Sequence, residues 1–273
     1  MIADTPRRII FSRKGFDSAA GGCPSPVIEG RPVSLPIPNG RYPGGCAYRQ
    51  LAAPRPELVR DLTRGRIDGD ALCHLDPDID RGAVARGTAW QAAFGQVGAA
   101  QGHLRRQGVG VGDLFLFFGL FRAAVRAGGG WSWTGTPFHA LFGWLRVGEV
   151  VTGAEAAERP ELQDHPHAAP DWPADSRIYV AADRLGLARA PALAGAGVFA
   201  RAHRLSADSA RASDWAVPAW LERGRMSYRG ADRWWTAPGR MNAHGQWQEA
   251  VAPGCAEAAD WAAGVIAAHG APA

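Results

Sequence analysis

The chain has 273 residues, 47% of them hydrophobic and 21% charged, which excludes a disordered or polyampholyte protein. Its longest apolar run, Leu114–Phe121, is far short of the roughly 20 residues a helix needs to cross a bilayer, and Met1–Phe16 is polar and basic. A cytoplasmic protein without a membrane role is therefore expected, and the formal charge of +4 permits an anionic partner without demanding one.

In chain order, a Pro/Gly-rich opening carries two short β-like runs, Arg8–Ser12 and Pro32–Ile37. Pro56 and Gly65 bracket a helix over Pro56–Arg64. Leu72–Leu75 reads as a short strand that runs into Asp76-Pro77-Asp78. Trp90, Phe94, Val97 and Leu104 fall at three- and four-residue steps, which predicts a helix over Thr88–Gln107. Gly95, Gly98 and Gly102 form a bare face on that helix, where a backbone or a flat ligand can approach closely.

Leu114–Phe121 is too short for a core helix and aromatic enough for a buried strand. A loop over Ala127–Gly130 and a strand at Trp131–Thr134 follow. Alternation over His139–Val151 places Leu141, Leu145, Val147 and Val151 on one face, with Phe142, Trp144, Arg146 and Val150 on the other. Glu155–Asp175 reads as an exposed loop, Ile178–Ala182 and Val198–Leu205 as strands, and Glu257–His269 as a helix stopped by Gly270. The sum is one compact α+β domain spanning residues 1–273, with a mixed or barrel-like β core and a few helices.

Of the 30 basic residues, only Lys14 is lysine. In a chain so biased towards arginine, a retained lysine suggests a task for a compact ammonium. It lies among Arg13, Asp17 and Ser18, just after a β-like run, where cations, hydroxyls and glycine backbone suit an anion. A turn capped by Asp17 is the plain alternative.

A second group is His74, Asp76 and Asp78, whose two carboxylates could chelate a divalent cation or bind ribose hydroxyls. Its plain alternative is a cap or turn. Gln96, Gln101 and His103 are candidates for reading a base edge, although they do not share one helix face, and Trp144 completes the substrate-binding candidates. His165-Pro166-His167, which with Asp164 could bind a divalent metal, is expected to be an exposed, non-ligating loop, and His139, which could serve as acid or base, is expected to be a core histidine satisfied by backbone.

The four cysteines show no C-x-x-C pair, so inert thiols are expected rather than a zinc site or a disulfide framework. Six tryptophans after residue 210, interleaved with Arg225, Arg229, Arg233 and Arg240, suggest a surface for stacking bases and pairing phosphates.

The stretches Ile10–Gly22, Pro24–Pro26, Ser34–Pro38, His74–Asp78, Phe94–Leu104, Gly112–Phe121, Phe142–Val150 and Gly195–Phe199 together resemble the third family of nucleotide-modification-associated domains. The resemblance implies a link to enzymes of DNA base modification. The motif residues it carries over are Lys14, Asp17, His74, Asp76, Asp78, Gln96, Gln101 and His103. Within the chain, Gly112–Val151 looks like the half-barrel of PUA, ASCH and EVE modules, which bind RNA or modified bases.

The expectation is a nucleotide- or nucleobase-processing enzyme. Lys14 would hold a phosphate or developing charge, Asp17 would orient it, and Asp76 with Asp78 would bind ribose or a divalent metal. On that view, Lys14→Ala and Asp76→Asn abolish activity with little change in melting temperature. A non-catalytic reader of modified bases is the second expectation, and a scaffold subunit meeting a protein partner is the third.

Overall fold

Every residue from Leu114 to Phe118 is fully buried, and the sheet is built around that run. The computed structural model describes residues 5–40, 44–169, 171–209, 211–245 and 247–271. The first strands are Arg8–Arg13 (β1), Ser25–Ile28 (β2), Arg31–Pro32 (β3), Ile37–Pro38 (β4) and Cys46–Ala47 (β5). Helix Arg55–Leu62 (α1), strands Leu72–His74 (β6) and Ala93–Gln96 (β7), and helix Gly98–Arg106 (α2) follow. Two long strands, Leu114–Ala127 (β8) and Gly130–Thr152 (β9), form the central hairpin, after which come helix Gly153–Ala157 (α3) and strands Arg177–Ala181 (β10) and Ala196–Arg204 (β11). The chain closes with Asp214–Ala216 (β12), Ala219–Gly224 (α4), Arg240–Asn242 (β13), Glu249–Pro253 (β14) and Ala256–His269 (α5).

Among the described residues the main sheet has nine strands, with the path β14-β1-β8-β9-β10-β7; β11 joins at β9, and β2 with β3 at β8. It is mixed: β1 and β2 run parallel to β8, while β14, β9, β10 and β7 pair antiparallel. The sheet does not close into a barrel, so the fold is α+β with an open mixed sheet. No helix among the described residues is long and apolar enough to cross a membrane.

The β8–β9 hairpin turns on Gly128-Gly129, both at positive φ (59° and 85°), the conformation a two-residue turn of this hand requires. Period-2 alternation sends Leu114, Leu116 and Phe118 to one core and Phe115 and Phe117 to the other. The first core packs against α4, α5 and the C-terminal tryptophans, the second against Leu104 of α2, Phe94 and Tyr179. Helix α1 buries Leu58, Val59 and Leu62 in a third core with Phe16 and Tyr48.

Three expectations are corrected. Thr88–Gln107 is a strand followed by a helix. Ala93–Gln96 pairs with β10, Val97 is extended, and Gly98 at φ 63° redirects the chain into α2. Phe94 and Val97 therefore obey a helical spacing by coincidence.

Along β9 the face assignment fails because an extra residue, Phe142, is inserted where Phe117 pairs with Gly143 but Phe118 pairs with Leu141. This bulge inverts the alternation. Leu141 and Trp144 thus share one core, while Phe142, Leu145 and Val147 share the other.

Glu155–Asp175 is not a solvated loop. It opens with α3, capped by Thr152 and Glu155, and then buries Leu162, His165, His167 and Trp172. Its histidines are buried, paired and stacked with protein groups.

Candidate functional site

The C-terminal ends of β1 and β7 and the start of β14 meet at one end of the sheet, beside a cavity of about 660 Å³. Open sheets commonly bind ligands at such strand ends, and this volume is in the range of small-molecule sites. Lys14 follows directly on β1. Its N–H donates to the Phe118 carbonyl at 2.9 Å, and its own carbonyl passes so close to Gly119 that a Cβ there would lie 2.7 Å from it. The close backbone approach therefore requires glycine at position 119.

Lys14 Nζ lies 3.0 Å from Oε1 of Glu249, the first residue of β14, and 4.4 Å from the centroid of the Phe94 ring. Glu249 is 1% exposed, and its Oε1 also accepts from Gln96 Nε2 at 2.7 Å. The other carboxylate oxygen, Oε2, is buried with no hydrogen-bond partner among the described residues. A buried acceptor left over in this way is costly unless a ligand donor meets it.

Across the cavity stand His74, at the end of β6, Asp76, two residues on, and His167, from the segment between α3 and β10. The two Nε2 atoms face each other at 3.1 Å. One ligand-type atom from each of the three residues lies within 4.8 Å of the other two. Asp76 Oδ1 accepts from the Gly95 N–H at 2.7 Å and lies 3.4 Å from His165 Nε2. His167 stacks on Trp172 at 4.1 Å and 9°, with its Nδ1 3.4 Å from Ser176 Oγ.

Gly95 is where the flat group approaches: a Cβ there would overlap the His167 imidazole. The bare glycine position read from the sequence thus meets a side chain of the protein itself.

Burial pushes the His74 imidazole down to about 4 and that of His167 to about 3. For Asp76, burial works upward but is outweighed by His165, His167 and Lys14, which hold the carboxyl well below its usual range. At neutral pH the cluster is two neutral imidazoles beside an ionised carboxylate.

Other expected site residues divide clearly. Arg13 and Asp17 border the cavity and pair at 2.9 Å, while Asp17 Oδ1 accepts from the Ala19 and Ala20 N–H groups at 2.8 Å, so Asp17 caps its own turn. Ser18 is exposed on that turn and does not line the cavity. Asp78 is buried and held by partners of its own. It pairs with Arg86, accepts from Trp90 Nε1 at 3.0 Å and bonds reciprocally with the Ala93 backbone, so the two carboxylates do not form a chelating pair.

On α2, Gln101 accepts from the Tyr179 hydroxyl at 3.1 Å, and His103 sits 2.9 Å from Ser227 Oγ, stacked at 4.4 Å on Tyr228. Only Tyr228 of these five borders the cavity. Trp144 is a core residue that donates to the Ala194 carbonyl at 3.0 Å. His139 is a core histidine as expected, but its ring is satisfied by a side chain rather than by backbone, Nδ1 accepting from Trp215 Nε1 at 2.9 Å.

The C-terminal tryptophans do not form a stacking surface. Trp215, Trp220 and Trp247 are buried, Trp235 and Trp261 pack against the same core, and Trp234 is half-buried beneath Arg229 and Arg233.

Glu249, His167, Trp172 and Tyr228 were missing from the sequence-derived set. The available signal for Glu249 was a single carboxylate opening an otherwise apolar strand, EAVAP. For His167 it was the repeated histidine in His165-Pro166-His167.

Helix α2 also presents its N-terminus here. Val97, its N-cap, has no side-chain acceptor for the first-turn amides, and Val97, Ala99 and Ala100 border the cavity. Its dipole and amides favour an anion at that end.

No curated protein and no solved structure matches this chain. Over residues 8–253 it matches nucleotide modification associated domain 3, and with nearly the whole length covered it belongs to that family.

Proposed function

We propose that the protein is an enzyme of DNA base modification that binds a nucleotide in the cavity between Lys14 and His167. Family membership supports the link to base modification. The observation that carries the reading is the Lys14–Glu249–Gln96 group, with a buried carboxylate oxygen lacking a partner among the described residues, facing the same cavity as His74, Asp76 and His167. A phosphate suits Lys14 and the open end of α2, and a base has Tyr228, 48% exposed, as a stacking platform. Gln96 and Glu249 offer an amide and a carboxylate to the edge of that base. Against a reader of modified bases stands the packing of five of the six C-terminal tryptophans in or against the core.

Binding of 5′-nucleoside monophosphates, measured by calorimetry beside the unphosphorylated nucleosides, tests this. Monophosphates should bind more tightly, the advantage should shrink with added salt, and Tyr228→Ala should weaken binding by about 1–3 kcal/mol. Equal or absent binding of both ligand sets would refute the assignment.

A further inference from the structure

From the facing imidazoles we infer that His74, Asp76 and His167 hold a divalent first-row transition metal ion with open coordination positions on the cavity side. The inference deepens the reading of this cavity and rests on it for what the metal would do, but not for whether the metal binds. His74 and Asp76 lie two residues apart and His167 comes from a distant stretch of chain, yet one ligand-type atom of each lies within 4.8 Å of the others. Two nitrogens each about 2.1 Å from one ion, at an angle of 90–110°, stand about 3.0–3.4 Å apart. The 3.1 Å between His74 Nε2 and His167 Nε2 fits that spacing.

The outer contacts are those that orient ligands. His167 has Nδ1 beside Ser176 Oγ, its ring flat on Trp172, and its backbone N–H donated to His165 Nδ1 at 3.1 Å. Asp76 is held by the Gly95 N–H and by His165. Such partners fix ring orientation and ligand basicity. Lys14 is close enough to be felt by Asp76, but its ion pair is with Glu249, at 3.0 Å, and not with the cluster's carboxylate. Two imidazoles and a carboxylate, with no thiolate, select zinc, iron(II) or manganese over copper(I). Three protein ligands beside an open cavity match a catalytic rather than a closed structural site.

The competing explanation for the 3.1 Å contact is a simple hydrogen bond between two imidazoles. To separate the two, the full-length protein is stripped with chelator and titrated with Zn²⁺, Mn²⁺ and, without oxygen, Fe²⁺, while Co²⁺ loading is followed by visible spectroscopy. About one equivalent of one ion should bind, with cobalt bands that nitrogen and oxygen ligands produce. His167→Gln and Asp76→Asn should each weaken binding at least about tenfold and alter the bands, while His244→Ala changes neither.

Absence of stoichiometric binding by the wild-type protein, or binding unchanged in both variants, would overturn the inference. If one variant fails to fold, the other together with the wild-type cobalt spectrum decides. Metal bound without any nucleotide affinity would sustain this inference while refuting the proposed function, and the reverse result would do the opposite.

Discussion

Lys14→Met removes the ammonium while keeping a chain of similar length. The side chains of Lys14 and Glu249 are only 11% and 1% exposed, so the substitution leaves a buried carboxylate with Gln96 Nε2 as its remaining donor at Oε1. Removing one partner of a buried pair costs about 3–5 kcal/mol, because the other charge is left uncompensated. For a chain of this size each kcal/mol lowers the melting temperature by about 2–4 °C, which predicts a fall of roughly 10 °C. This replaces the expectation, drawn from sequence, that losing Lys14 leaves stability untouched. The check is a double-mutant cycle by chemical denaturation, with Glu249→Gln and the double variant. Lys14→Met combined with Glu249→Gln should recover most of the loss, since no unpaired charge remains. A Lys14→Met protein melting within about 2 °C of wild type, or a double variant no better than the single, would refute the buried pair.

Gly95→Ala should cost about 1–3 kcal/mol by overpacking, because the new Cβ would lie 2.8 Å from His167 Cβ and closer to its ring; loss of the predicted Co²⁺ bands would accompany it. Asp78→Asn should destabilise by about 3–5 kcal/mol, leaving the Arg86 guanidinium buried and unpaired, yet should leave those bands unchanged. Metal-free protein should lose stability as pH falls from about 6.5 towards 4. Burial holds His139 and His167 at about 3 and His74 at about 4, so the unfolded chain takes up protons there that the folded one refuses. Each histidine adds up to about 1.4 kcal/mol per pH unit to that slope, and a flat denaturation profile between pH 7 and 5 would contradict it.

Much of the scaffold could be read from local pattern. The strand beginning at Leu114, the Pro-started helix at residue 56 and the Gly-stopped tail helix each carry their own signals and form close to where expected. Local pattern failed where long-range pairing decided. Ala93–Gln96 became a strand because β10 lies alongside it, and one bulged residue, Phe142, exchanged the faces of β9. Lys14, His74 and Asp76 were found because lone or clustered polar residues stand out beside strands. Glu249 and His167 were missed because their meaning comes from neighbours more than 90 residues away in sequence: Lys14 and Gln96 for one, His74 for the other. Asp78 shows the converse, since a suggestive two-carboxylate spacing said nothing about which side chain would find an arginine.

The placement of Glu249 on β14 has a consequence for biosynthesis. That strand is both the outer neighbour of β1 and the source of the lysine's counter-charge, and Glu249 is made 235 residues after Lys14. A ribosome-bound nascent chain therefore carries the Lys14 ammonium well before its counter-charge arrives. Fragments ending before residue 249 would keep the imidazoles and the long hairpin but present β1 as an unprotected edge, open to pairing with another molecule.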